Sequence, residues 1–195
     1  MKKEILIDED TLKERISQIA ENINNDFRGK KITLICILKG SLYFYADLSR
    51  KIDLETELEF IRVSSYEGEN STGQVDFLLE LDNPITDKNV IVVEDIIDTG
   101  NTLSYLLEYL KKQDPKSLKL CTLLDKKERR ETEVDVDYVG FFIPNHFVIG
   151  YGLDLDQKYR NIPEIECFIE ESDKEKLKED RENIKKQLRY GSKHI

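Results

Sequence analysis

The chain alternates between short apolar runs and amphipathic stretches with a helical period. Leu12, Ile16, Ile19, Ile23 and Phe27 recur at helical spacing, and Phe27-Arg28-Gly29 supplies a stop. The pattern predicts an amphipathic helix packed on a sheet. Ile32 to Leu38 (ITLICIL) is continuously apolar and predicts a buried strand, and Leu42, Phe44, Tyr45, Leu48 and Ile52 behind it suggest a second helix. Leu58 to Val63 and Val75 to Leu81 read as two more strands. Val90-Ile91-Val92-Val93 is apolar and β-branched throughout, which suits a central strand covered on both faces of a parallel sheet. Leu103, Leu106, Leu107 and Leu110 then give a helix over Leu103–Gln113, broken by Asp114-Pro115. Ser117 to Leu124, Tyr138 to Ile143 and Ile165 to Ile169 complete the strands. From Glu170 the chain is a charged run whose Leu177, Ile184 and Leu188 form one thin apolar stripe. That stripe allows a surface helix, either solvated or docked on the body or on a neighbouring subunit.

This order predicts an α/β fold: a mostly parallel twisted sheet flanked by helices, with a small subdomain from the terminal parts. No internal repeat or linker interrupts it. Residues 1–170 are expected to form one domain and 171–195 a charged helical extension.

Composition narrows the classes. At 195 residues with 39% apolar content, nine Tyr and eight Phe, the chain can bury a sizeable core. Lys and Arg total 30 against 40 acids, a net charge of −10, which argues against nonspecific nucleic-acid binding. A local cluster of Lys and Arg can still hold a small anion. MKKEILIDEDTLKER has no apolar stretch of signal-peptide length, and no later run approaches membrane-spanning length. Cys36, Cys121 and Cys167 lie far apart inside apolar runs, without metal-type spacing. Buried free thiols, and with them a reducing cytoplasm, are expected.

The chemistry concentrates where the central strand gives way to a helix. Glu94, Asp95 and Asp98 surround Ile96-Ile97, and Thr99-Gly100-Asn101-Thr102 follows. Hydroxyls and unpaired backbone N–H groups at the mouth of a helix make an anion site, most naturally for a phosphate. Carboxylates there would repel a phosphate unless they hold sugar hydroxyls, a metal ion or a proton in transit. Together these groups suggest a sugar phosphate in the crevice at the carboxyl end of the strand. Lys39-Gly40-Ser41 repeats the strand–loop–helix arrangement and should open on the same sheet edge. Alone it would be an ordinary glycine turn with a solvated lysine. The polar stretch SSYEGENSTGQ is either an exposed hairpin loop or an active-site lid. Lys126, in Asp125-Lys126-Lys127, is surface decoration or a substrate contact, and Phe147 alone would be assigned to the core.

Glu94-Asp95-Ile96-Ile97-Asp98-Thr99-Gly100-Asn101-Thr102 resembles the phosphoribosyl-pyrophosphate-binding motif of type I phosphoribosyltransferases. Its Ile-Ile-Asp-Thr-Gly form is similar to that of the hypoxanthine-guanine branch, and the resemblance spans about residues 5 to 169. It implies the family's core with a small hood, and Mg²⁺-dependent transfer of 5-phosphoribosyl from phosphoribosyl pyrophosphate to a 6-oxopurine. By the same resemblance, Asp98 to Thr102 hold the 5-phosphate. Glu94 and Asp95 hold the ribose hydroxyls directly or through the metal, and Asp98 is the general base or proton carrier near purine N7. Leu38-Lys39-Gly40-Ser41 matches the pyrophosphate loop, whose peptide before the lysine is often cis in the family. Ser65-Tyr66 is similar to the Ser-Tyr of the closing lid. Lys126 falls where a lysine meets the 6-oxo group, Phe147 where an aromatic stacks on the purine, and Val148 where the backbone binds the purine edge. Asp154 falls on a metal-binding acid and Arg160 on a pyrophosphate-binding arginine. Family members are commonly dimers or tetramers.

Two positions depart from the pattern: Asn101 replaces a lysine that some members carry in the phosphate loop, and His146 stands where some have a lysine. No role is assigned to His146. Two competing readings remain. One is a xanthine-preferring relative; the other is a nucleotide- or RNA-binding regulator on the same fold, for which an aromatic in place of Asp98 and a more basic surface are expected.

Overall fold

A computed structural model describes residues 2–65 and 75–190. In chain order the elements are β1 (Lys2–Ile7), α1 (Glu9–Asp26), β2 (Ile32–Ile37), α2 (Leu42–Ser49), β3 (Thr56–Ser65), β4 (Val75–Leu79), β5 (Asn89–Ile97), α3 (Asn101–Lys111), β6 (Ser117–Asp125), β7 (Tyr138–Phe142), β8 (Val148–Ile149), β9 (Ile165–Ile169) and α4 (Lys174–Gln187). Six strands form one sheet in the order β4-β3-β2-β5-β6-β7, and three form a second in the order β1-β9-β8. The large sheet is parallel except for β4, which pairs antiparallel with β3. The small sheet is the expected hood.

The central strand behaves as its composition requires. Ile91 and Val93 join a core cluster with Leu12, Ile16 and Ile23 of α1 and with Phe44 and Leu48 of α2. Val90 and Val92 face the other way, onto Leu103, Leu106 and Leu110 of α3. Alternate side chains of an extended chain thus bury both faces. The helix α1 opens at Asp8, whose carboxylate accepts from the Thr11 amide at 2.8 Å. Within it Arg15 is fully buried; its Nε donates to the Gly140 carbonyl, and burial lowers its pKa to about 10. The three cysteines are free and buried, as expected, and burial pushes the Cys36 thiol up to about 12. Among the described residues no helix is long and apolar enough to cross a membrane.

The elements differ from the pattern-based expectation in two ways that matter for the site, in boundaries and in two added strands. β5 continues four residues past Val93, to Ile97, pairing Glu94 with Thr122 and Ile97 with Asp125. The carboxylates Glu94 and Asp95 therefore stand on the strand itself, and the true loop is shorter than expected. The helix after it begins at Asn101 rather than Leu103. β1 and β8 were not expected. Only Leu6 and Ile7 of β1 are buried, and the strand is held by its antiparallel register on β9, which a local pattern does not carry.

The charged C-terminal run forms α4, docked on the same chain. Leu177 and Ile184 are each 2% exposed and belong to the larger core cluster. Replacing Leu177 by Ala should cost about 2–5 kcal/mol in urea unfolding, the range for a core leucine. A loss below about 0.5 kcal/mol, the scale of a surface substitution, would show that α4 only rests on the body.

Candidate active site

Glu94 and Asp95 near the end of β5, Lys39 and Gly40 after β2, Lys126 after β6 and Asn101 and Thr102 at the start of α3 gather at the carboxyl end of the parallel sheet, while Val148 stands in β8 of the hood. Glu94 lines a cavity of about 290 Å³ with Ile37, Val63, Asp98, Thr99, Gly100 and Thr102. Asp95, the next residue, turns towards the loop after β2. There a Cβ on Gly40 would lie 1.5 Å from Asp95 Oδ2, so only glycine lets the backbone approach this carboxylate. Gly40 matters for close approach rather than for a special dihedral. The Leu38–Lys39 peptide beside it is cis.

The glycine contact propagates into the hood connection. Gly152, at φ 103°, packs so tightly that a Cβ would lie 1.8 Å from the Gly40 carbonyl oxygen. Just beyond it, Arg160 donates to the Gly152 carbonyl at 2.7 Å and pairs with Asp154 at 2.8 Å. Gln157, which no local pattern singles out, joins them. Its amide oxygen accepts from both Lys39 Nζ and Arg160 Nη2 at 3.3 Å, and its backbone N–H donates to Asp154 at 2.8 Å. Lys39, Asp154 and Arg160 therefore form one group.

The two strand carboxylates strain against each other electrostatically. The Asp95 amide donates to Glu94 Oε1 at 3.2 Å, and the Ile96 amide to Asp95 Oδ1 at 2.7 Å. Burial, reinforced by the adjoining Asp95 carboxyl, raises the Glu94 pKa well above the usual carboxylate range. Such a pair favours a shared proton or a cation. Among the described residues no cluster of three metal-ligating side chains exists, and Asp154 is instead held by Arg160.

After β5, Asp98 to Gly100 form the loop and α3 follows. The backbone carbonyl of Thr99 accepts from the amides of Glu131 and Thr132 at 2.9 and 3.0 Å, so the segment after β6 folds over the loop. Asn101 donates to Glu131 Oε2 at 2.8 Å and accepts from the Thr132 hydroxyl. The residue that replaces a family lysine thus ties the loop to this segment.

Lys126 at the end of β6 is 7% exposed. Burial lowers its pKa, while the Asp98 charge acts to raise it. Arg129, another residue that the pattern did not single out, places Nε 2.7 Å from Asp98 Oδ1, an ion pair without hydrogen-bond geometry. Phe147 is 53% exposed, its ring centroid 6.1 Å from that of Phe168, so it is not the core residue its pattern suggested. Val148 is buried in β8. Ser65 ends β3, opposite Val75, and Tyr66 lies outside the described residues.

Residues 4–156 match the family described as the phosphoribosyl transferase domain, and this match covers most of the chain. The chain belongs to the phosphoribosyltransferase family. It is 48% identical over 164 residues to the hypoxanthine phosphoribosyltransferase of Buchnera aphidicola subsp. Schizaphis graminum, covering 83% of this chain and 93% of that one. It is 45% identical over 165 residues to the Escherichia coli K12 hypoxanthine phosphoribosyltransferase, with the same coverages. A crystal structure of a hypoxanthine-guanine phosphoribosyltransferase from Bacillus anthracis aligns with a TM-score of 0.82 at 47% identity, covering 85% of this phosphoribosyltransferase and 98% of that chain.

The carboxylate pair makes a pH prediction. Because the folded pKa of Glu94 lies above its unfolded value, its contribution to stability is complete below about pH 4.3 and is lost as pH rises through the folded pKa. Replacing Glu94 by Gln should remove that loss. Urea unfolding without divalent cations should therefore find the variant gaining on the parent from pH 5 to pH 8. A constant difference over that range would show that Glu94 carries no raised pKa.

Proposed function

We propose that this phosphoribosyltransferase serves purine salvage, transferring 5-phosphoribosyl from phosphoribosyl pyrophosphate to hypoxanthine or guanine with release of pyrophosphate. The observation that carries the reading is the position of Asp98, between the Thr99–Thr102 loop on one side and Lys126 and Arg129 on the other. A carboxylate there can serve both a sugar phosphate and a base bearing an exchangeable proton.

The roles follow from the groups present. Backbone N–H groups and hydroxyls of Thr99 to Thr102 hold the 5-phosphate at the start of α3, where the helix dipole favours an anion. Asp98 accepts the purine proton as N9 forms its bond to the ribose carbon, and the electron pair of the breaking C–O bond leaves with pyrophosphate. The Lys126 ammonium donates to the 6-oxo group, and its burial strengthens that contact. The exposed face of Phe147 stacks on the base and the Val148 backbone meets its edge. Lys39 and Arg160 receive the pyrophosphate. Ser65 and Tyr66 belong to the lid, which would exclude water from the developing ribosyl cation.

The adjacent Glu94 and Asp95 carboxylates, one with a raised pKa, fit a divalent cation that takes its remaining oxygens from substrate. This is how Mg²⁺ is usually held. Glu94, Asp95 and, once Arg160 turns to pyrophosphate, Asp154 would hold it. Mg²⁺ would supply neutralisation of the leaving group. The buried reduced cysteines support a cytoplasmic setting, and a dimer or tetramer is the assembly proposed.

The acid at position 98 and the net charge of −10 favour an enzyme over an RNA-binding regulator. Steady-state assays with phosphoribosyl pyrophosphate, Mg²⁺ and each of hypoxanthine, guanine, xanthine, adenine and uracil should show turnover of the 6-oxopurines only. Turnover chiefly of xanthine would select the alternative substrate, and turnover of none would promote the regulator. Asp98→Asn should lower kcat by about 10² or more with far less change in phosphoribosyl-pyrophosphate affinity. Unchanged turnover would remove Asp98 from the mechanism.

A further inference from the structure

The docked face of α4 has a composition that docking alone does not explain. Leu177, Asp180, Ile184 and Gln187 fall at i, i+3, i+7 and i+10, a single stripe along the helix. Leu177 and Ile184 enter the core, but Asp180 and Gln187 interrupt the apolar stripe with polar groups. Both polar groups reach the same short segment, 142–147, which joins β7 to β8 and carries Phe147.

Gln187 meets the backbone at the start of that segment. Its Oε1 accepts from the Phe142 amide and its Nε2 donates to the Phe142 carbonyl, both at 2.9 Å. β7 is the edge strand of the large sheet, and the Ile143 amide bonds back to the Asp125 carbonyl on β6. Phe142 therefore turns its own N–H and C=O outward, and the Gln187 amide takes the place of the missing neighbouring strand. Asp180 meets the far end: its Oδ2 lies 2.8 Å from His146 Nε2, with the two side chains only 14% and 15% exposed. His146 immediately precedes Phe147, whose exposed ring has Phe168 as an aromatic neighbour. An exposed aromatic can keep a fixed attitude only if the backbone carrying it is held.

We propose that Asp180 and Gln187 of the C-terminal helix are positioning residues for the purine-binding loop, bracing residues 142–147 so that Phe147 and Val148 are set to receive the base. The inference rests on the reading of Phe147 and Val148 as purine contacts. It gives this chain's extension a part in the reaction although the family match ends at residue 156. It also gives a part to His146, to which the residue pattern assigned no role. The same brace reaches the other side of the base, because Lys127 Nζ lies 4.0 Å from the centroid of the Phe142 ring and Lys127 adjoins Lys126.

Asp180→Ala, Gln187→Ala and Asp180→Asn, together with Lys185→Ala, test the proposal in steady-state kinetics on the full chain. Lys185, also on α4, pairs with Asp8, the residue at which α1 opens, so it controls for α4 docking. The first two variants should raise KM for the purine about tenfold, the scale of one or two lost buried hydrogen bonds, with KM for phosphoribosyl pyrophosphate unchanged. Asp180→Asn, which can still accept from His146, should recover most of the loss, and Lys185→Ala should leave both constants unchanged. Purine KM within about twofold of the parent in both alanine variants, or a parallel rise in both KM values, would overturn the proposal. If the unmodified protein turns over no 6-oxopurine, the reading of the site falls and the brace falls with it.

Discussion

The site depends on backbone surfaces brought into contact where no side chain can intervene. Gly40 lies against the Asp95 carboxylate, and Gly152 lies against the Gly40 carbonyl. Three segments distant in sequence, the end of β5, the loop after β2 and the connection from the hood, are thereby stacked into one wall. Three charged groups are hung on that stack: Lys39 precedes the first glycine, Asp154 follows the second, and Arg160 is fixed by the Gly152 carbonyl. A methyl group at either glycine would have to displace a carboxylate or a backbone oxygen.

Charge at the site is arranged in provisional pairs. Arg160 is held by Asp154 and Arg129 by Asp98, while Lys39 rests on the neutral Gln157 amide. On the proposed roles, a pyrophosphate would take Arg160 by releasing Asp154, and a purine would reach Asp98 by loosening Arg129. Glu94 and Asp95 are the exception: burial first, and the adjoining Asp95 carboxyl after it, make Glu94 resist ionisation. On the proposed function, a protein of net charge −10 would meet a highly anionic substrate with cations that acids near the site already hold in place.

Much of this was legible in the residues. The buried run at Val90–Val93, the acid-rich turn after it and the Thr-Gly-Asn-Thr helix mouth announced a phosphate crevice at the end of a parallel strand. The family resemblance then named Lys39, Lys126, Phe147, Asp154 and Arg160. The rest depends on tertiary register. β5 extends to Ile97 because β6 offers it partners, and a hydrophobicity pattern sees only that Glu94 and Asp95 are polar. Arg129 and Gln157 sit in charged or polar loops where nothing local separates them from solvated neighbours. Asp180 and Gln187 were hidden by their helix, since polar residues in a charged run attract no notice until their stripe is seen facing the body.

The central claim, that phosphoribosyl pyrophosphate binds on the wall closed at Gly40, is tested most directly by calorimetric titration of that compound with Mg²⁺ into the parent and into Gly40→Ala. The account predicts saturable binding to the parent and an affinity lower by about tenfold or more in the variant, 1.4 kcal/mol or more, with the fold intact by circular dichroism. Equal affinity in the two folded proteins would contradict it.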